Sequence, residues 1–133
     1  MKFVILLFLF FGMVCSAQKA DYRSTLKKMD SLNQVKLDTG IDMMSTERSY
    51  FLELHQLMNE VYHDLLKHKT SQDFEKEQME WLQFFEEKSI KIWKPINESV
   101  EKNEWLGLDA QLIVYGQQAD LVHERIIVLI NQF

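Results

Sequence analysis

One cysteine, one proline and four glycines among 133 residues leave this chain short of the usual covalent and conformational breaks. A lone cysteine, Cys15, excludes an intrachain disulfide framework. So few prolines and glycines argue against a turn-rich β fold and in favour of helix. No segment alternates strictly between apolar and polar residues. No repeat of about 20–50 residues and no low-complexity tract is present. Positive charge is also in deficit, with 15 Lys and Arg against 20 Asp and Glu. Nucleic acid and anionic membrane both call for clustered Lys and Arg, so neither is an expected partner. A net negative chain instead suits a basic partner, and it favours solubility in any case.

The first seventeen residues have the pattern of a secretory signal. Met1-Lys2 is a short positive start, Phe3 to Val14 is almost unbroken apolar sequence, and Cys15-Ser16-Ala17 puts small residues at a cleavage site. Cleavage after Ala17 is expected. It leaves a single domain at 18–133 with 14 basic against 20 acidic residues and no thiol. The apolar run is shorter than the roughly 20 residues of a membrane anchor, so stable membrane insertion is not expected. A lipid tether through Cys15 would need a small residue before it, and Val14 is branched and large. The expected location is therefore periplasmic or secreted. Without disulfides, an exported domain of this size must rest on its apolar core.

Hydrophobic spacing predicts four amphipathic helices, hence an all-α bundle. The first runs from about Lys19 to Lys36, with Tyr22, Leu26, Met29, Leu32 and Val35 as its stripe. Asp38-Thr39-Gly40 breaks it. The second begins near Asp42 or Ser45, with Ser45 or Thr46 as candidate caps. It carries the strongest stripe, Tyr50, Phe51, Leu54, Leu57, Met58, Val61, Tyr62, Leu65 and Leu66. Lys67-His68-Lys69 sits at its end, where positive charge suits the helix dipole. Thr70 or Ser71 caps the third helix, which carries Phe74, Met79, Trp81, Leu82, Phe85, Ile92 and Trp93. It is expected to stop before Pro95, because proline disfavours the helical conformation at Lys94. Residues 95–105 read as a polar connection. The last helix spans about Leu108 to Asn131 through Leu112, Tyr115, Ala119, Val122, Ile126, Leu129 and Ile130, and Gly116 would admit a close neighbour.

No catalytic constellation emerges, and the chain is not expected to be an enzyme. No serine lies in a Gly-x-Ser-x-Gly turn, and no glycine loop is suited to cradle a phosphate. Glu86 and Glu87 are adjacent on a helix and diverge by about 100°, so they do not form an acid/base pair. Glu60-x-x-His63 has the form of half a di-iron site, with Asp120-x-x-His123 as a degenerate second half and Glu87 the one plausible further ligand. Yet Glu53, Gln56, Glu60, His63 and Lys67 fall on the polar side of their helix, whereas such ligands must point inward. No metal or other cofactor is expected. Asn97-Glu98-Ser99 fits the N-glycosylation triplet, which matters only in a eukaryotic secretory host. Tyr62, Trp81 and Phe85 stand at core spacing, while Trp93 and Trp105 flank the connection and are the aromatics least suited to burial.

Met58-Asn59-Glu60-Val61-Tyr62-His63-Asp64-Leu65-Leu66, followed by Glu80-Trp81-Leu82-Gln83-Phe84, resembles the LprI-like lysozyme inhibitor family, first defined as a domain of unknown function. That family has a leucine-Asn-x-x-Tyr-x-x-Leu segment, then an (Ala/Glu)-Trp-Leu-x-(Tyr/Phe)-Arg-Asp segment. Its last helix ends in a Thr-x-x-Arg-type stretch, partly matched by Val122-His123-Glu124-Arg125. Asp21-Tyr22 resembles the family's opening aromatic, and Met43 its entry to the second helix. The likeness extends over nearly the whole of residues 18–133. It implies a small exported binding protein that inhibits a lysozyme by occupying its cleft, or a structural or adaptor module of the same fold that binds another envelope protein. Family members usually carry cysteine pairs. By motif spacing those positions are Thr25, Thr46, Ser89 and Gln117 here, and the family's Arg in the Trp-Leu segment is replaced by Phe85. Candidate partner contacts are the acids Asp73, Glu75, Glu77 and Glu80 together with Trp105. Asn59, Tyr62, Trp81 and Arg125 follow the family pattern and are expected to hold the fold.

Overall fold

The computed structural model describes residues 2–69, 71–104 and 106–133, with side chains from residue 16 onward. The described residues form four helices and no strand: α1 (Lys2–Asp38), α2 (Met43–Leu66), α3 (Gln72–Glu101) and α4 (Leu108–Ile130). Among the described residues, no helix is long and apolar enough to cross a membrane. The α1 helix begins at Lys2, well before Lys19, because no proline interrupts the run between them. Gly40 ends the turn after α1 in a left-handed conformation with φ 66°. Its amide donates to the Leu37 carbonyl at 2.9 Å, satisfying one of the free carbonyls at the helix end.

The α2 and α4 helices form the central, most closely apposed pair, with α1 against both of them and α3 against α4. Leu54, Met58, Val61 and Leu65 from α2 meet Val122, Ile126, Leu129 and Ile130 from α4, all fully buried. Each such side chain contributes about 1.5–3 kcal/mol by leaving water. No backbone segment of α3 comes close to α2. Large rings bridge that gap instead. Phe74 packs on Tyr62 with centroids 5.2 Å apart and Phe85 packs on Phe51 at 6.2 Å, while on the α4 side Trp93 meets Tyr115 edge-on at 5.3 Å.

Four details depart from the sequence expectations. First, α3 does not stop at Pro95 but continues to Glu101, so the connection shrinks and the Asn97-Glu98-Ser99 triplet lies on a helix. Ile96 and Ser99 are buried, and the Ser99 hydroxyl donates to the Ile96 carbonyl at 2.8 Å. Burial of that last turn outweighs the missing proline N–H, a tertiary gain that local propensity does not include. Second, Leu32 and Val35 are 51% and 64% exposed, and Met79 is 68% exposed. The inward row of α1 runs instead through half-buried Asn33 and Leu37, and that of α3 through buried Gln78. Third, Ser45 and Thr46 lie inside α2, whose cap is Asp42 in a left-handed conformation; the Asp42 carbonyl accepts from the Thr46 amide at 3.0 Å. Fourth, Trp93 is half-buried, with its indole N–H donating to Gln118 at 3.0 Å. Gly116 faces the Glu47 carboxylate, at an ordinary contact distance that an added methyl would tolerate.

Candidate functional site

The start of α3 concentrates the protein's charge. Residues 72–87 hold six acids against the single Lys76, a net of −5, equal to the net charge of the whole chain. Ser71, one of the two expected caps, begins this helix, its hydroxyl accepting from the Phe74 amide at 3.2 Å. Asp73 and Glu75 occupy the first turn, where the helix dipole favours negative charge. Asp73, Glu75 and Glu80 are exposed, and Lys76 lies 3.7 Å from Glu80 in a solvated pair that contributes little. Exposed Met79, Leu82 and Phe84 stand among these acids, so the surface is apolar as well as acidic.

Arg125 of α4 holds this face in place. It is only 6% exposed, and its Nε and Nη2 donate to Gln78 Oε1 at 3.0 and 2.9 Å. Nη1 donates to Glu77 Oε1 at 2.7 Å. The guanidinium also stands 5.8 Å from the Trp81 ring centre, a cation–π contact. One buried cation thus satisfies a buried amide, pairs a half-exposed carboxylate and covers an indole, all within one turn of α3. Glu77 is therefore committed to the fold and less available to a partner than Asp73, Glu75 and Glu80.

The family-pattern residues divide. Arg125 is buried; Trp81 is half-buried and stacks on Phe85 at 5.3 Å; Tyr62 is half-buried against Phe74. Burial raises the Tyr62 pKa, and the charge of Glu75 adds to the rise. Asn59 departs from its expected fold-holding role. It is exposed on α2, a step past the Leu57–Met58 inward pair. Trp105 lies outside the described residues, as does Thr70. Phe85, in the place of the family's arginine, packs among Phe51, His55 and Trp81. Of the positions that the resemblance gives to cysteines, Ser89 accepts from Gln118, the neighbour of Gln117, at 3.0 Å. A hydrogen bond thus links α3 and α4 beside two of those positions.

The residues of the metal-like pattern do not converge. Glu60 accepts from Gln56 at 3.0 Å, Glu87 accepts from Gln83 at 3.1 Å, and His63 lies beside the Tyr62 ring. His123 instead meets Asp30 of α1 at 3.1 Å, and the other oxygen of Asp30 accepts from the Tyr50 hydroxyl at 2.6 Å. Among the described residues, no group of three or more His, Cys, Asp or Glu is placed to hold a metal ion. The Tyr50–Asp30–His123 chain ties three helices together. Burial first, then the hydrogen bond to Asp30, holds the Tyr50 phenol protonated far above its ordinary range. A second tie joins Tyr22 to Asp64, which also accepts from Lys67 at 2.5 Å. These bonds depress the Asp64 pKa, with the Lys67 contact the larger cause.

Neither tie was visible in the sequence, since Asp30 and His123 stand 93 residues apart and no local pattern joins them. The Arg125–Gln78 clasp was equally hidden, although Gln78 at a core-facing helical position was an available signal. No protein-family model, no curated protein and no solved structure matches the chain.

Proposed function

We propose that this is an exported helical binding protein that acts by protein–protein contact rather than turnover, and that its partner is a basic protein, a lysozyme by the resemblance of its helical motifs. The observation that carries this reading is the placement of the net charge. The net −5 of residues 72–87 equals the whole chain's net charge, and Asp73, Glu75 and Glu80 face solvent beside exposed Met79, Leu82 and Phe84. Many lysozymes are basic, and opposite charge speeds encounter. Apolar side chains among the acids supply area that excludes water once contact is made. The Arg125 clasp keeps the face rigid, which lowers the cost of ordering it on binding.

The test is lysozyme activity in the presence of the purified protein. Inhibition at micromolar concentration is expected, weakening as salt screens the charges. Reversing Asp73, Glu75 and Glu80 to Lys together should weaken inhibition by more than about tenfold, since charge pairing across an interface is lost and replaced by repulsion. Asn59→Ala should leave it unchanged. Absence of inhibition against several lysozyme types at micromolar protein would sink the lysozyme assignment. Capture of a different basic envelope protein through the same three acids would replace it with the adaptor reading.

A further inference from the structure

We infer that the solvent-facing flank of α3 is a self-association surface, on which a second copy of this chain docks its own α3 antiparallel. The helix turns about 100° per residue, so positions three and four apart share a flank. Met79, Leu82, Glu86, Ile90, Trp93, Asn97 and Val100 follow one another at such steps. Ile90 is 65% exposed and Val100 67%, close to the exposure of Met79, and Trp93 is half-buried. This is the spacing of a coiled-coil seam, with Met79, Leu82, Ile90 and Val100 exposed on one copy and the edge of Trp93 between them.

Charge selects the occupant and its direction. The first half of α3 carries a net −5, while residues 88–102 hold Lys88, Lys91, Lys94 and Lys102 against Glu98 and Glu101. A parallel pair would set acid against acid. An antiparallel two-fold pair centred on Ile90 instead opposes residues 78–87 of each copy, which hold three acids, to residues 93–102 of the other, where Lys94 and Lys102 balance Glu98 and Glu101. Glu86 and Glu87 then face the partner copy's lysine at position 94, and Met79 faces its valine at position 100. Lys94 is free to re-pair, because its present contact with Glu98, at 3.6 Å, is solvated on both sides. Asp73 and Glu75 fall beyond the overlap and stay open. One helix flank buries less than a standard interface of about 1,600 Å², so the association is weak and concentration-dependent. The inference does not rest on the lysozyme reading.

Sedimentation equilibrium of the purified protein from about 5 to about 500 µM tests it, a span suited to a weak complex. The average mass should climb from monomer towards dimer, and less steeply at high salt. Ile90→Asp should hold the protein monomeric across the range with its circular dichroism unchanged, since the side chain is exposed. Lys94→Glu should weaken association by about tenfold or more, and the triple variant E86K/E87K/K94E, which exchanges the charges, should restore it. A wild-type protein that stays monomeric, or an Ile90→Asp variant that dimerises as the wild type does, overturns the surface. A triple variant no better than Lys94→Glu overturns the antiparallel arrangement. None of these measurements involves a lysozyme, so failure here leaves the inhibition assay to stand or fall separately.

Discussion

Replacing Arg125 with Met should destabilise the protein by about 2–4 kcal/mol, and the reason lies in what the guanidinium leaves behind. Methionine keeps most of the apolar stem but donates nothing. Gln78 is only 4% exposed, so its Oε1 loses both donors with little access to water. A stranded buried acceptor costs about 1–3 kcal/mol. The cation–π contact with Trp81 adds about 0.5–1 kcal/mol. Glu77 adds little, because its side chain is 47% exposed and rehydrates once freed. The larger penalties known for broken buried ion pairs do not apply, since no charge is left buried. Urea unfolding followed by circular dichroism is the assay, read at unchanged m-value. The decisive comparison is the double variant Arg125→Met with Gln78→Leu. Removing the stranded acceptor should recover about 1–3 kcal/mol of the loss. A single variant costing under about 1 kcal/mol, or a double variant no more stable than the single, would refute the argument. Glu77→Gln should cost less than about 1 kcal/mol.

Two further outcomes follow from particular residues. His55 is half-buried between Phe51 and Phe85, and burial lowers its pKa below the ordinary 6.5. The unfolded chain therefore takes up the proton first, so stability should fall as pH drops through 6.5 and level off below the folded pKa. An NMR titration of the His55 ring with its midpoint at or above 6.5 would contradict this. On the proposed cleavage after Ala17 the mature chain would hold no thiol, so a reducing agent should leave its thermal midpoint unmoved; a shift on adding dithiothreitol would show that Cys15 is retained and bridged.

Helix identity was readable because the α2 and α4 stripes are dense and regular. Leu54, Leu57, Met58, Val61 and Leu65 all face the core as their spacing predicts, as do Ala119, Val122, Ile126, Leu129 and Ile130. The α1 and α3 stripes were misread in part, because neither is apposed to other helices as extensively as α2 and α4 are to each other, so fewer of their residues have close neighbours. With fewer neighbours, a helix buries polar residues such as Gln78 and leaves Met79 and Val35 in water. Pro95 misled for a related reason, since its local cost was offset by burying Ile96 and Ser99. Of the candidate site, the acids at the start of α3 were legible as charge. Their support by Arg125, which pairs with Glu77, was not.

Taken alone, the sequence settled an all-α bundle, a cap at Thr70 or Ser71, the turn at Gly40 and the placement of negative charge, because each depends on residues within a few positions of one another. Tertiary structure decided which flank of α3 faces water, that the helix runs through Pro95, and that Asp30 joins Tyr50 to His123. Those outcomes turn on contacts between residues 20 to 93 positions apart, where the gain from packing and hydrogen bonding outweighs what any local segment prefers.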